Sequence, residues 1–329
     1  MLTRERTVLL DFHALPKSCM LPAPFQNCLI LTGPTGSGKT ALGVELAERL
    51  GAEIIALDSM TLYRGMDIGT AKPAADLRRR VPHHLIDVLE PWESASVAWW
   101  LKEAALCVEE IEQRGKRVLF VGGTPLYLKS LLRGLFDGPA ADPVLRQRLT
   151  DEAAGLGSQL LHKRLAAVDP ATAARLHPND VRRIVRALEV WELTGQPISR
   201  WQTQWQQPAN ANSDPCRWPV LWVDLSRAEL YARVNARVEQ MLAGGLVDEV
   251  KALLGLPCPL SREAAYAVGY HEMLSYLKEE ISLAEAVARI QLRSRHLAKR
   301  QLSWFRHLPE CRPVSRELTF SAWGLTMND

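Results

Sequence analysis

The chain has 329 residues, 47% of them apolar and 23% charged, with a formal net charge of +3. These values suit a globular chain with one large core or two modest ones and exclude a low-complexity chain. No apolar run reaches the roughly 18–20 residues that span a bilayer, so no membrane partner is expected, and any nucleic-acid surface must come from local clusters of charge.

In chain order, residues 1–27 hold neither a continuous signal-peptide core nor a small-residue cleavage site. A disordered extension, or a start assigned too far upstream, is expected there. Cys28–Thr32 is a short apolar run and Gly33–Thr40 a glycine loop, followed by a helical pattern over Ala41–Leu50 that Gly51 stops. Ile54–Leu57 reads as a second strand ending on Asp58, and Leu85–Val88 as a third. Ala95–Gln113 is helical, and Val118–Val121 is a strand opening into Gly122-Gly123-Thr124. Strands alternating with helices predict an α/β core, a parallel sheet with helices on both faces.

The texture changes after about Asp137. Asp142–Ala154, Gln159–Val168, Pro170–Leu176 and Val181–Thr194 all have helical patterns, which predicts an all-helical insertion. Gln202–Pro219 reads as a loop and Val220–Leu225 as a strand. Ser226 with Glu229, and Ser282 with Glu285, form capping boxes for helices reaching about Ala243 and His307. The expected division is an extension at 1–27, core at 28–136, helical insertion at 137–208, the second part of the core with a basic helix at 209–310, and a tail at 311–329. The default expectation is a monomer. Six scattered cysteines without a CxxC pair predict reduced thiols in a cytoplasmic protein.

Gly33-Pro34-Thr35-Gly36-Ser37-Gly38-Lys39-Thr40 fits the Walker A pattern GxxxxGK[ST], with a strand before it and a helix after. Such a loop turns backbone N–H groups and a helix N-terminus onto a phosphate. Lys39 reaches the outer phosphate oxygens and the Thr40 hydroxyl is a Mg²⁺ ligand. The core is therefore expected to be P-loop NTPase-like, and its ligand to carry at least a diphosphate.

Asp58 ends a strand at the edge where open α/β sheets bind ligands. It reads either as a Walker B acid for Mg²⁺ or as a base for a nucleophile. Thr124 reads either as a helix N-cap or as a hydroxyl aimed at the ligand. Between Glu285 and Glu310 there is no Asp or Glu, while Arg289, Arg293, Arg295, Lys299, Arg300 and Arg306 accumulate with Trp304 and Phe305 among them. Charge interleaved with aromatics suits a phosphate backbone and an unstacked base. Arg182, Arg183 and Arg186 make a weaker cluster, since Glu189 can pair with one of them.

Assembled, these strings resemble the bacterial tRNA dimethylallyltransferase (tRNA isopentenyltransferase) family. The resemblance runs from Cys28 to His307. Its markers are Gly33–Thr40, DSMTLYRGMDIGTAKP at Asp58–Pro73, VGGTPLYLKSLLRGL at Val121–Leu135, HPNDVRRIVRALEV at His177–Val190, VGY at Val268–Tyr270 and LAKRQLSWFR at Leu297–Arg306. It implies transfer of a dimethylallyl group from dimethylallyl diphosphate to N6 of adenosine 37, in the anticodon stem-loop of tRNAs reading codons that begin with U. It implies that Asp58 engages the adenine amine, that Thr124 sits at the scissile ester oxygen, and that Thr35–Thr40 hold the prenyl diphosphate. It implies tRNA contacts at Asp58, Ser59, Met60 and Thr61, at Arg146, and at Arg182, Arg183 and Arg186. Further contacts are implied at Tyr266, Gly269, Tyr270 and His271, and at Lys299, Arg300, Gln301, Trp304 and Arg306. Relatives commonly carry arginine after VGY; His271 here would make that contact pH-dependent. The competing readings are a small-molecule P-loop kinase that consumes ATP, an isopentenyltransferase acting on free AMP or ADP, and a non-catalytic RNA-binding switch.

Overall fold

The computed structural model describes residues 24–135, 138–202 and 220–315. The expectations for residues 1–23, for most of the 202–219 loop and for 316–329 fall outside them. The chain divides into two compact units, Met1–Leu132 with Ala209–Asp329, and Arg133–Pro208.

The first half of the larger unit runs β1 (Leu29–Thr32), α1 (Lys39–Leu50), β2 (Ala52–Leu57), α2 (Ala75–Arg80), β3 (His83–His84), α3 (Val97–Gln113), β4 (Arg117–Gly122) and α4 (Pro125–Arg133). The smaller unit supplies α5 (Pro143–Leu156), α6 (Ser158–Val168), α7 (Pro170–Ala173), α8 (Val181–Thr194) and α9 (Ile198–Trp201). The larger unit resumes with β5 (Val220–Val223), α10 (Arg227–Ala243), α11 (Leu246–Leu254), α12 (Arg262–Ala265), α13 (Tyr270–Leu277), α14 (Leu283–His307) and β6 (Cys311–Val314).

The six strands lie parallel in the order β3-β2-β4-β1-β5-β6. Side chains alternate across a strand. Leu29, Leu31, Leu119, Val121, Leu221 and Val223 therefore pack with α1 on one face, while Ile30, Phe120, Val220 and Trp222 join the larger core on the other. Both faces are covered, which explains the near-continuous apolar strands. Each buried Leu, Ile or Val contributes about 1.5–3 kcal/mol.

Three expectations need correction. The strand expected at Leu85–Val88 lies two residues earlier, at His83–His84. Leu85 and Asp87 both have φ near 58°, which ends the extended run; Asp87 is drawn inward by Lys72 and Arg78. The expected tail opens with a strand, since Cys311–Val314 pairs with β5. Pro313 hid it, and is tolerated because β6 is an edge strand. Finally, Phe25 is no part of a loose extension: it is buried, with its ring edge-on to Phe120 at 5.9 Å.

The smaller unit packs around Leu149, Leu161, Leu165, Ile184 and Leu188. A fully buried carboxylate, Glu189, lies among them. It accepts hydrogen bonds from the Asp142 amide (2.8 Å), Arg146 Nε (2.9 Å) and Arg186 Nη1 (2.6 Å), tying α5 to α8. Glu189→Gln should lower stability by about 1–3 kcal/mol, the scale of a hydrogen bond to a charged group. A thermal melt checks this, and an unchanged midpoint would show that the cluster does not hold the unit. Arg148 and Arg164 each pair with both Glu152 and Glu192, closing a second ring of charge over α5, α6 and α8.

Candidate active site

Three loops leave the carboxyl edge of neighbouring strands: Gly33–Gly38 after β1, Asp58 onward after β2, and Gly123-Thr124 after β4. In the first, Gly36 and Gly38 have φ of 85° and 82°, a left-handed backbone that side chains rarely adopt. Gly38 ends the loop and α1 begins at Lys39, so the first amides of α1 are those of the Walker residues themselves. The Ser37 amide donates to Pro34 O at 3.1 Å, and Lys39 Nζ reaches the same carbonyl at 3.5 Å. Burial brings the Lys39 ammonium down to about 8, with Asp58 opposing the fall and Arg237 adding to it.

Arg237, on α10, was not singled out by the sequence. Its Nη1 lies 3.4 Å from Thr35 Oγ1, and no carboxylate pairs with it among the described residues. Burial lowers its proton affinity. Arg233, one turn earlier, approaches Gly38 but pairs with Glu229. The recoverable signal was this pair of arginines four apart on the helix that follows β5, the neighbour of β1. Lys39 and Arg237 together make the glycine loop a seat for an anion.

Asp58 is half-buried. Its Oδ1 accepts from the Met60 amide at 2.9 Å, an Asx turn, and the Thr61 amide also bonds the carboxylate. Burial pushes its carboxyl above the usual carboxylate range, against the pull of the Met60 amide, the Lys39 ammonium and the Thr61 amide. The Thr124 amide donates to Leu57 O (3.1 Å), and Thr124 Oγ1 accepts from the Ser59 amide (3.0 Å). The carboxylate is thus held between two tethers to Thr124. Gly122 permits this approach: a Cβ there would stand 2.1 Å from Leu57 O. Beneath lie Trp100, which donates to Ala56 O, and Tyr127 stacked on it at 4.4 Å.

The rest of Asp58–Pro73 is clamped. Lys72, with its side chain 3% exposed, donates to Tyr63 O (2.5 Å), Asp67 (2.6 Å) and Asp87 (2.6 Å). Glu249 accepts from the amides of Asp67, Ile68 and Gly69 and from the Tyr270 hydroxyl. Neither residue stood out in the sequence, since their partners are distant in the chain or lie in the backbone.

The residues expected to meet RNA divide into exposed and enclosed sets. Lys299 and Arg300 are exposed on α14. Trp304 lies under Lys129 Nζ at 5.8 Å, and Arg306 lies over Trp222 at 6.0 Å with Asp224 4.0 Å away. Tyr266 is 61% exposed and stacks on His271, with ring centroids 5.0 Å apart. Gly269 has φ 96° and donates to Glu272. Ser59 and Met60 are half-buried.

Thr61, Tyr270 and Gln301 are buried, at 7%, 0% and 5% exposure, with their polar side-chain groups bonded inside the protein. Gln301 Oε1 accepts from the Thr35 amide (2.8 Å) and its Nε2 donates to Gly123 O (2.6 Å). Half of the basic run is also spoken for: Arg289 pairs with Glu285, Arg293 with the buried Glu272, and Arg295 bonds Asn235. The acid-free stretch could not reveal acids supplied by α13. In the smaller unit Arg182 and Arg183 are exposed, Arg183 pairing with Asp180, while Arg146 and Arg186 hold Glu189.

Comparison with known proteins bears on the same segments. The IPP transferase family model matches residues 61–308 and the isopentenyl transferase model residues 26–81. The chain is 49% identical to the tRNA dimethylallyltransferase of Geobacter metallireducens, over 84% of this chain and 89% of that protein. It is 45% identical to that of Geobacter sulfurreducens, over 89% and 93%. Among solved structures it is similar to the tRNA isopentenylpyrophosphate transferase of Bacillus halodurans, at 39% identity, TM-score 0.61, and 88% and 90% coverage. It is also similar to a eukaryotic dimethylallyltransferase acting on tRNA, at 26% identity, TM-score 0.70, and 89% and 74% coverage.

Proposed function

The chain belongs to the IPP transferase family, and from that premise we propose that it transfers a dimethylallyl group from dimethylallyl diphosphate to N6 of adenosine 37 in tRNA, releasing diphosphate. The observation that carries the reading is the convergence of Lys39, Asp58 and Thr124 on one sheet edge. There Gly123 packs so closely that a Cβ would stand 2.9 Å from Gly33 O and 3.4 Å from Lys39 Cε.

In the reaction the bond from C1 of the dimethylallyl group to the bridging oxygen breaks, and its electron pair leaves with the diphosphate. The N6 lone pair forms the new C1–N bond, and the N6 proton passes to Asp58. Lys39, Arg237 and the loop amides stabilise the charge that develops on the diphosphate. Thr124 Oγ1 donates to the bridging oxygen, giving up its bond to Ser59 Oγ, which is long at 3.5 Å. Asp58 orients a weakly nucleophilic amine and takes its proton, work worth about 10²–10⁴-fold. Unstacking the adenine costs a few kcal/mol, offset by contacts from Lys299, Arg300, Trp304, Arg306, Tyr266, His271, Arg182 and Arg183 with the anticodon stem-loop.

A Mg²⁺ ion suits the site. Thr40, in the first turn of α1 directly behind the glycine loop, would hold it through its hydroxyl together with phosphate oxygens and water, the usual way Mg²⁺ binds. It would neutralise charge on the leaving diphosphate. The enzyme is proposed to act in the cytoplasm as a monomer, on tRNAs that read codons beginning with U.

Labelled dimethylallyl diphosphate, incubated with the protein, Mg²⁺ and either tRNA or AMP, tests the reading. Label in tRNA alone is expected; label in AMP, or none in either, would overturn it. Lys39→Ala should weaken inorganic pyrophosphate binding by about 10–150-fold, the value of a charge-assisted hydrogen bond. Calorimetry reads this, and an unchanged Kd would remove the loop from diphosphate binding.

A further inference from the structure

We propose that Gln301 is a positioning residue for the transfer reaction: its side-chain amide clips the glycine loop to the Gly122–Thr124 loop, and it does not contact RNA. The inner face of α14 is the stripe Ala298, Gln301, Leu302 and Phe305, all buried. Gln301 is the one polar member of that stripe, on a helix whose other face carries Lys299 and Arg300. A carboxamide is costly to bury unless both of its ends are bonded. Here both are, to main-chain groups: the Thr35 amide at 2.8 Å and the Gly123 carbonyl at 2.6 Å.

Those two groups belong to the loops that must act together. Thr35 opens the turn that leads to Lys39, and Gly123 is the residue before Thr124. Neither backbone group has a partner on its own strand, because both loops have already left the sheet. The amide satisfies one from each and so sets the distance between them. Gly123 adds to the constraint, since a Cβ there would stand 2.7 Å from Gln301 Nε2. The clip therefore fixes where Lys39 meets the diphosphate relative to where Thr124 meets its bridging oxygen. A misplacement of about 1 Å between groups that act on one reacting centre costs on the order of 10²-fold in rate.

This inference rests on reading the glycine loop as the diphosphate seat. Its test uses Gln301→Met, which keeps the volume and removes both hydrogen bonds, beside Gln301→Ala. Three quantities are measured on each folded protein: inorganic pyrophosphate affinity with Mg²⁺, tRNA affinity, and kcat at saturating substrates. For Gln301→Met, kcat is expected to fall by about 10–100-fold and pyrophosphate to bind several-fold more weakly, with tRNA affinity unchanged. A purely structural defect would not split the measurements in this way. Weaker tRNA binding with kcat retained would make Gln301 an RNA contact and overturn the inference, as would three unchanged values. If the native protein itself fails to bind pyrophosphate, the reading beneath falls and takes the inference with it.

Discussion

Replacing Asp58 with alanine should lower kcat by about 10²–10⁴-fold, the range over which a positioned base acts. Affinity for tRNA should move by no more than about twofold, well under the tenfold that 1.4 kcal/mol represents. The reason lies in the geometry. Among the described residues Asp58 bonds only the neighbouring Met60 and Thr61 amides, and the remaining lone pairs of its carboxylate are left for a substrate proton. The 59–61 backbone remains tethered by Ser59 to Thr124 when the carboxylate is gone. Filter binding and single-turnover kinetics separate the two quantities. Equal losses in affinity and turnover would assign Asp58 to RNA binding instead. The native pH profile should carry the same signature. A base must be deprotonated to act, and burial raises the Asp58 carboxyl. The acidic limb of kcat should therefore fall at higher pH than an ordinary aspartate would give, and Asp58→Ala should flatten it.

Gly122→Ala should cost about 3 kcal/mol or more, the upper end of overpacking penalties. The new Cβ would meet Leu57 O at 2.1 Å and Leu57 C at 2.3 Å. These are main-chain atoms of the paired strand and cannot swing aside as a side chain would. The midpoint of thermal unfolding should drop by about 6–12 °C at roughly 2–4 °C per kcal/mol. Turnover should fall beyond what lost protein explains, because parting the ends of β2 and β4 separates Asp58 from Thr124. Gly43→Ala is the contrast. Its Cβ would also crowd a neighbour, at 2.8 Å, but that neighbour is the tip of the Val121 side chain. A Gly122→Ala protein with native stability and rate would show that the strand ends are not held this closely.

Much of the architecture was open to a reader of the sequence. The glycine loop, the apolar strands and the Ser282 cap announce themselves, because each depends on residues within one turn or one strand of each other. The Ser282 hydroxyl does accept from the Glu285 amide, and α14 runs to His307 as expected. Strand β3 was misplaced because an apolar run does not reveal that Asp87 will be pulled inward by Lys72, fifteen residues earlier. Strand β6 was missed because four residues containing a proline carry no periodicity.

The site follows the same division. Local patterns singled out Lys39, Asp58 and Thr124, since a phosphate loop and the ends of strands have chain-local signatures, but left the roles of Asp58 and Thr124 open, and the family resemblance alone implied them. The order of the strands was not written in any one of them. Only the packed sheet sets β4 between β1 and β2, and so brings a carboxylate, a hydroxyl and an ammonium together. Arg237 and Gln301 belong to helices whose sequences show only amphipathicity and charge. Their roles arise from which face turns inward and which distant main-chain groups need partners there. Tyr270 and Arg293, conspicuous in the sequence, bond Glu249 and Glu272 inside the protein, partners that no local pattern reveals. Residue identity along the chain decides what chemistry is available, whereas burial and long-range hydrogen bonding decide which groups stay free to perform it.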